Sequence, residues 1–209
     1  MREILDEVET PYVDCQTLLA HLSEYRNPRD WIARMVKKGE LIRLRNGFFL
    51  IASRFRRGEE YPYEQIANLL YGPSYVSLEW ALSFYGFIPE RVSVVTSVTT
   101  GGNKEFDTPI GAFSFRRLRK ARYSVGIDRK EIAGQLGGFL IASPEKALVD
   151  WVFFSTQPMS KEELSGDLLD GKRLDPSKLK ALDNKLLEEI CKKYKNTNIQ
   201  NLLSIVREL

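Results

Sequence analysis

The sequence predicts an α+β protein in two successive parts. A helical N-terminal segment is closed by a tight hairpin. A mixed domain follows, with a small, largely antiparallel sheet and C-terminal helices. Three observations predict this. Residues 27–53 switch from a helical to a strand period within one stretch, Val92–Thr99 (V-S-V-V-T-S-V-T) is rich in β-branched residues, and helix starts return from Ser143 onward. At 209 residues the chain suits one or two modest domains, each able to bury a core.

Residues 27–53 read N-P-R-D-W-I-A-R-M-V-K-K-G-E-L-I-R-L-R-N-G-F-F-L-I-A-S. Asn27 is placed to cap a helix, Pro28 suits its first turn, and Asp30 complements its positive end. Gly39 supplies the stop. At about 100° per residue, Trp31, Ile32, Met35 and Val36 share one face, and Arg29, Asp30, Ala33, Arg34, Lys37 and Lys38 share the other. Asn46-Gly47 is a favoured hairpin turn because both positions tolerate φ > 0. A turn centred there pairs Arg45 with Phe48, Leu44 with Phe49, Arg43 with Leu50 and Ile42 with Ile51. Ile42, Leu44, Phe49 and Ile51 then face inward, and Arg43 and Arg45 project outward.

Two shorter helices precede this segment. Met1–Glu9 spaces Ile4, Leu5 and Val8 helically and ends at Pro11. Asp14 caps a second helix through about Leu22, with Leu18, Leu19 and Leu22 as its core face. Helix, helix, helix, hairpin is the order of a winged helix-turn-helix, assigned to residues 1–58. Taken singly, each element also fits a solvated amphipathic helix and an ordinary hairpin. Charge favours the joint reading. Residues 1–25 carry Glu3, Asp6, Glu7, Glu9, Asp14 and Glu24 against Arg2 alone. Residues 26–58 carry Arg26, Arg29, Arg34, Lys37, Lys38, Arg43, Arg45, Arg54, Arg56 and Arg57 against Asp30 and Glu40. The net charge of +3 says little, whereas this local patch suits a polyanion. The partner implied is double-stranded operator DNA. Arg29, Arg34, Lys37 and Lys38 would read base edges, and Arg43, Arg45 and Asn46 would hold phosphate or the minor groove.

The second part is assigned to residues 59–209, after a charged, turn-rich linker at Arg54–Tyr61. Tyr63–Leu70 reads as a short helix with Ile66, Leu69 and Leu70 apolar, broken by Gly72-Pro73. Ser77 is placed to cap a helix to about Tyr85. Beyond Val92–Thr99, strands are read at Glu105–Thr108, Ala112–Arg117, Tyr123–Ile127 and Gly137–Ile141. Ser143-Pro144-Glu145 starts a helix to about Phe154, burying Ala147, Leu148, Trp151 and Val152. A short helix follows Ser160, and Asp175-Pro176 opens a last pair, Ser177–Lys195 and Ile199–Glu208.

Several chemistries lack their residues. The single histidine, His21, reads as a partly exposed helix residue rather than a metal ligand. No phosphate-cradling loop, dinucleotide fingerprint or serine nucleophile elbow is present, so no catalytic residue, cofactor or metal is assigned. Glu105 and Asp107 alternate on one strand, which keeps a metal-dependent nuclease as an alternative. Cys15 and Cys191 form no spaced motif and read as reduced thiols. The acidic start M-R-E-I-L-D-E-V-E is not a signal peptide, and no apolar run approaches the ~18 residues of a membrane span. A cytoplasmic protein is expected.

The runs S-Y-V-S-L-E-W-A-L-S-F-Y-G-F-I-P-E (74–90), V-V-T-S-V-T-T (94–100), E-F-D-T-P-I-G-A-F-S-F (105–115) and A-S-P-E-K-A-L-V-D (142–150) resemble the AbiEi-type antitoxin family. These are predicted transcriptional regulators of bacterial type IV toxin–antitoxin systems. The resemblance extends to about Phe154, and beyond it only generic helices match. It implies that the N-terminal part represses its own operon. It also implies that the C-terminal antitoxin domain counters a nucleotidyltransferase-like toxin without requiring a stable complex. Members of this kind are not known as enzymes. Ser77, Glu79 and Pro89 read physically as scaffold. Arg116, Arg117, Arg119, Lys120 and Arg122 form a possible second basic surface, open to a solvated, DNA-contacting, RNA-facing or toxin-facing role. The alternative function is a free-standing winged-helix repressor with a ligand-binding or dimerisation domain.

Overall fold

A computed structural model describes residues 3–55, 61–131, 137–155 and 157–209. The protein is mixed α+β, with two sheets of three and six strands among these residues. The chain divides into two compact units: Met1–Tyr63 with Phe106–Ala112, and Glu64–Glu105 with Phe113–Leu209. The boundary expected at residue 58 lies outside the described residues.

The first unit runs α1 (Glu3–Asp6), β1 (Tyr12–Asp14), α2 (Cys15–His21), α3 (Pro28–Lys37), β2 (Leu41–Arg45) and β3 (Phe48–Ile51). α1 is shorter than the Met1–Glu9 helix expected from spacing. The Asp14 carboxylate caps α2, accepting from the Thr17 N–H at 2.7 Å. Asn27 stands at the cap of α3, but its side chain makes no capping bond, so Pro28 and Asp30 define that start. Gly39, at φ 71°, lets the chain turn out of α3 where a side chain would strain it.

β1 is not legible in the sequence, because three residues cannot display an alternation. It pairs antiparallel with β3, giving the order β1-β3-β2. β3 is therefore central, and all of Phe48–Ile51 is buried. The hairpin register departs from the expected one. Arg45 pairs with Phe48, but beyond a bulge Arg43 pairs with Phe49, Ile42 with Leu50 and Leu41 with Ile51. Leu44 is the extra residue, and the slip brings Leu41 into the core while Ile42 is only half-buried. Leu18, Leu22, Trp31, Ile32, Met35 and Phe49 pack in that core.

The second unit contains α4 (Tyr63–Leu70, its first residue assigned to the first unit), β4 (Ser74–Val76), α5 (Leu78–Phe84) and β5 (Val94–Thr99), with the parts of β6 (Lys104–Thr108) and β7 (Gly111–Arg117) outside Phe106–Ala112, which is assigned to the first unit. It continues through α6 (Lys120–Tyr123), β8 (Ile127–Glu131), β9 (Gly138–Ala142), α7 (Pro144–Ser155) and α8 (Lys161–Gly166). One π-type turn (Asp167–Gly171), α9 (Pro176–Lys180), α10 (Asn184–Cys191) and α11 (Thr197–Glu208) complete it. The sheet order is β6-β7-β5-β4-β9-β8. It is larger than the small sheet expected, because the three-residue β4 sits near its middle. β4 pairs antiparallel with β5 and parallel with β9, through Val76 and Ile141. β8 pairs antiparallel with β9.

Three further expectations are corrected. Tyr123–Ile127 is not a strand: α6 ends at Tyr123, Gly126 turns at φ 77°, and the strand starts at Ile127. A Cβ on Gly126 would stand 2.8 Å from Ile190 Cδ1 and 2.9 Å from Lys146 Cβ, so only glycine fits that bend. The expected helix Ser177–Lys195 is two helices, because the Asp183 carboxylate accepts from the Lys185 and Leu186 N–H groups and starts α10 afresh. Leu69, expected on the apolar face of α4, is 43 % exposed, and Ala67 is buried instead. α4 does unforeseen work at the sheet. Gln65 Nε2 donates to the Gly137 carbonyl at 2.8 Å, while Asn68 Oδ1 accepts from Leu140 N–H at 2.6 Å. These amides satisfy backbone groups in β9 and just before it. Among the described residues, no helix is long and apolar enough to cross a membrane.

Candidate nucleic-acid interface

α3 is amphipathic in the expected sense. Trp31, Ile32 and Met35 are buried and Val36 half-buried, while Arg29, Asp30, Ala33, Arg34, Lys37 and Lys38 are exposed. On the hairpin that follows, Arg43, Arg45 and Asn46 are exposed too. The Arg43 guanidinium lies 5.6 Å from the Phe49 ring and that of Arg45 lies 5.7 Å from Phe48. Arg45 Nη1 also donates to the Asn46 carbonyl at 3.3 Å. Buried rings thus hold both guanidinium groups over the hairpin. None of Arg29, Arg34, Lys37, Lys38, Arg43 or Arg45 has an ion-pair partner among the described residues. Arg56, Arg57 and the side chain of Arg54 lie outside the described residues. The acidic counterpart is also at the surface: Asp6, Glu7, Glu9, Asp14 and Glu24 are exposed, and Glu7 meets His21 Nδ1 at 3.3 Å.

The second basic cluster divides. Arg116, Arg117, Arg119 and Lys120 are exposed around a buried Leu118. Backbone bonds fix this strip: Leu118 N–H donates to the Thr99 carbonyl at 2.8 Å, and Arg117 N–H donates to Asn103 Oδ1 at 2.7 Å. Arg122 does not belong with the strip. It is half-buried, its guanidinium lies 4.8 Å from the Phe153 ring, and its Nε donates to the Lys193 carbonyl at 3.3 Å. Glu105 and Asp107 are exposed on β6, and no group of three His, Cys, Asp or Glu among the described residues is placed to hold a metal.

A polar centre in the second unit has no counterpart among the sequence expectations. Lys146 and Asp150, one turn apart on α7, are fully buried. Lys146 Nζ donates to Asp150 Oδ1 at 3.0 Å, to the Arg122 carbonyl at 2.7 Å and to the Tyr194 hydroxyl. The Tyr194 hydroxyl in turn donates to Asp150 Oδ1. Tyr75 and Ser77 hydroxyls donate to Asp150 Oδ2 at 2.8 and 3.0 Å. Every ammonium proton and both carboxylate oxygens are therefore engaged. Ser77 is consequently no side-chain cap of α5, because its hydroxyl is committed to Asp150. Glu79 accepts from Trp151 Nε1 at 3.0 Å, which ties α5 to α7. The only sequence signal is a Lys and an Asp one turn apart within a helix that is apolar from Ala147 to Phe154 save for Asp150. Such pairs usually lie on a solvated face.

Burial and the Asp150 charge hold the Tyr75 and Tyr194 hydroxyls well above the usual phenol range. Burial alone pushes Tyr123 up to about 12, and burial is the main cause lifting the Cys191 thiol to about 11. These groups stay protonated in the folded chain while the unfolded chain loses protons above about pH 9. Their contribution to stability is complete below that pH and is lost as pH rises through the folded values. Burial draws Lys146 the other way, lowering its pKa, but it is outnumbered. Urea unfolding at pH 8 and pH 11 is expected to show a loss of about 2 kcal/mol or more at the higher pH. Equal stability at both would contradict the burial of these phenols.

No protein-family model matches this chain, and no curated protein is significantly similar to it.

Proposed function

We propose that this protein is the antitoxin of a type IV toxin–antitoxin pair. Its N-terminal unit would be a winged helix-turn-helix that binds operator DNA and represses its own operon. One observation carries the DNA-binding part: α3 and the β2–β3 hairpin expose six cations without acidic partners among the described residues. The element order helix, strand, helix, helix, hairpin, with sheet order β1-β3-β2, suits that fold. A polyanion is attracted by such a surface, and the helix supplies a rod of the width of the major groove.

The antitoxin part rests on the resemblance of the four blocks at 74–90, 94–100, 105–115 and 142–150. Residues from three of them meet in the second unit. Tyr75 and Ser77 bond Asp150, and Thr96 Oγ1 donates to the Ser77 carbonyl at 2.7 Å. These motif residues act as scaffold, which leaves the surface around them to oppose a nucleotidyltransferase-like toxin in the cytoplasm. A stable complex with that toxin is not required.

The full chain is expected to retard labelled DNA from upstream of its own coding sequence. It should also restore growth when co-expressed with a neighbouring nucleotidyltransferase-like gene. No preference for that DNA over random sequence would end the operator reading. Folded protein that fails to rescue growth would end the antitoxin reading and leave a free-standing repressor.

A further inference from the structure

We propose that Asp30 determines base specificity on the α3 face, selecting a base that presents an amino group, cytosine before adenine, at one operator position. The inference rests on the DNA-binding reading above. Asp30 is the third residue of α3 and is exposed. In a helix-turn-helix the N-terminal residues of the recognition helix reach the base edges. Ala33 and Arg34, three and four residues along the helix, are its neighbours on the surface, and both are exposed. Alanine there lets the helix approach the groove closely.

The Asp30 carboxylate is uncommitted. It makes no capping-box bond to Asn27 and no ion pair with Arg34 one turn along, and it has no other partner among the described residues. Facing DNA, a free carboxylate repels phosphate whatever the sequence, so it weakens general affinity. It also discriminates. An ionised carboxylate only accepts hydrogen bonds. In the major groove cytosine offers its N4 amino group as a donor, whereas guanine O6 and N7 and thymine O4 are acceptors that would oppose it. The same carboxylate near a helix N-terminus is mildly stabilising without any ligand, and that role predicts a different outcome.

Full-length wild type, Asp30→Asn and Asp30→Ala are each used to select from a pool of random duplex DNA, and the recovered sites are compared. Wild type is expected to favour cytosine at one position by about fivefold or more. Asp30→Asn should move that preference to adenine, whose N6 and N7 suit an amide. Asp30→Ala should lose it there alone, while binding to unrelated DNA rises. Identical preferences for all three proteins, with only a lower melting temperature in the variants, would overturn the proposal and leave Asp30 a helix-end charge. Should wild type recover no preferred sequence, the operator reading fails first and this inference fails with it.

Discussion

Replacing Arg45 with Glu is expected to weaken binding to operator and unrelated DNA alike. The loss should be roughly tenfold or more at low salt. The slope of log affinity against log salt should also flatten by about one unit for each phosphate that the protein no longer neutralises. Arg45 is exposed beside the Asn46-Gly47 turn, and the Phe48 ring at 5.7 Å keeps its guanidinium over the hairpin. The reversed charge removes an attraction and adds a repulsion at a fixed place, so the effect should not depend on sequence. A base-reading cation such as Arg34 should behave differently, with Arg34→Ala penalising the operator far more than random DNA. Because Arg45 is exposed and makes no ion pair among the described residues, folding stability should change by no more than about 0.5 kcal/mol. Affinity and salt slope both equal to wild type would take the hairpin out of the interface.

Asp150→Ala is expected to have the largest effect on stability. It should cost about 3–5 kcal/mol, a sizeable share of the roughly 5–15 kcal/mol typical of a folded domain. The change strands a buried ammonium with only Arg122 O and Tyr194 OH, and it deprives Tyr75, Ser77 and Tyr194 of their acceptor. Lys146→Met should cost less, since Asp150 keeps its three hydroxyl donors. Replacing both residues with apolar ones removes the charges together, but still leaves three buried hydroxyls to satisfy. Urea unfolding followed by tryptophan fluorescence, to which Trp80 and Trp151 contribute, ranks the variants. A cost below about 1 kcal/mol for Asp150→Ala would mean that water reaches this centre, contrary to its burial. Because Asp150 bonds two hydroxyls of the 74–90 block, the same variant should lose antitoxin activity through instability. Its DNA binding is a separate readout, of the first unit.

Local patterns are legible wherever one element carries its own signal. Pro28, the helical spacing of Trp31, Ile32 and Met35, and Gly39 delimit α3 without outside help. Asp14 and Ser143 mark their helix starts for the same reason: capping is satisfied within a few residues. The strands at 94–99, 104–108 and 111–117 are long enough to show β-branched or alternating runs. β1 and β4 are not, since three residues carry no period. The hairpin register differs from expectation by one place, because turn chemistry sets Arg45 against Phe48 but says nothing of the bulge that follows.

By itself, then, the sequence determined the α+β class, the two faces of α3, the Asn46-Gly47 turn and the concentration of cations after residue 25. These follow from residue type and short-range spacing. Only the tertiary structure decided that the hairpin slips at Leu44 and that Arg122 leaves the surface for the Phe153 ring. It also decided that Ser77 abandons its cap for Asp150, and that Lys146, Asp150, Tyr75 and Tyr194 converge. Apart from the hairpin slip, those outcomes draw on partners 24 to 75 residues apart in the chain. A buried charge has a reason to exist only when such partners arrive together.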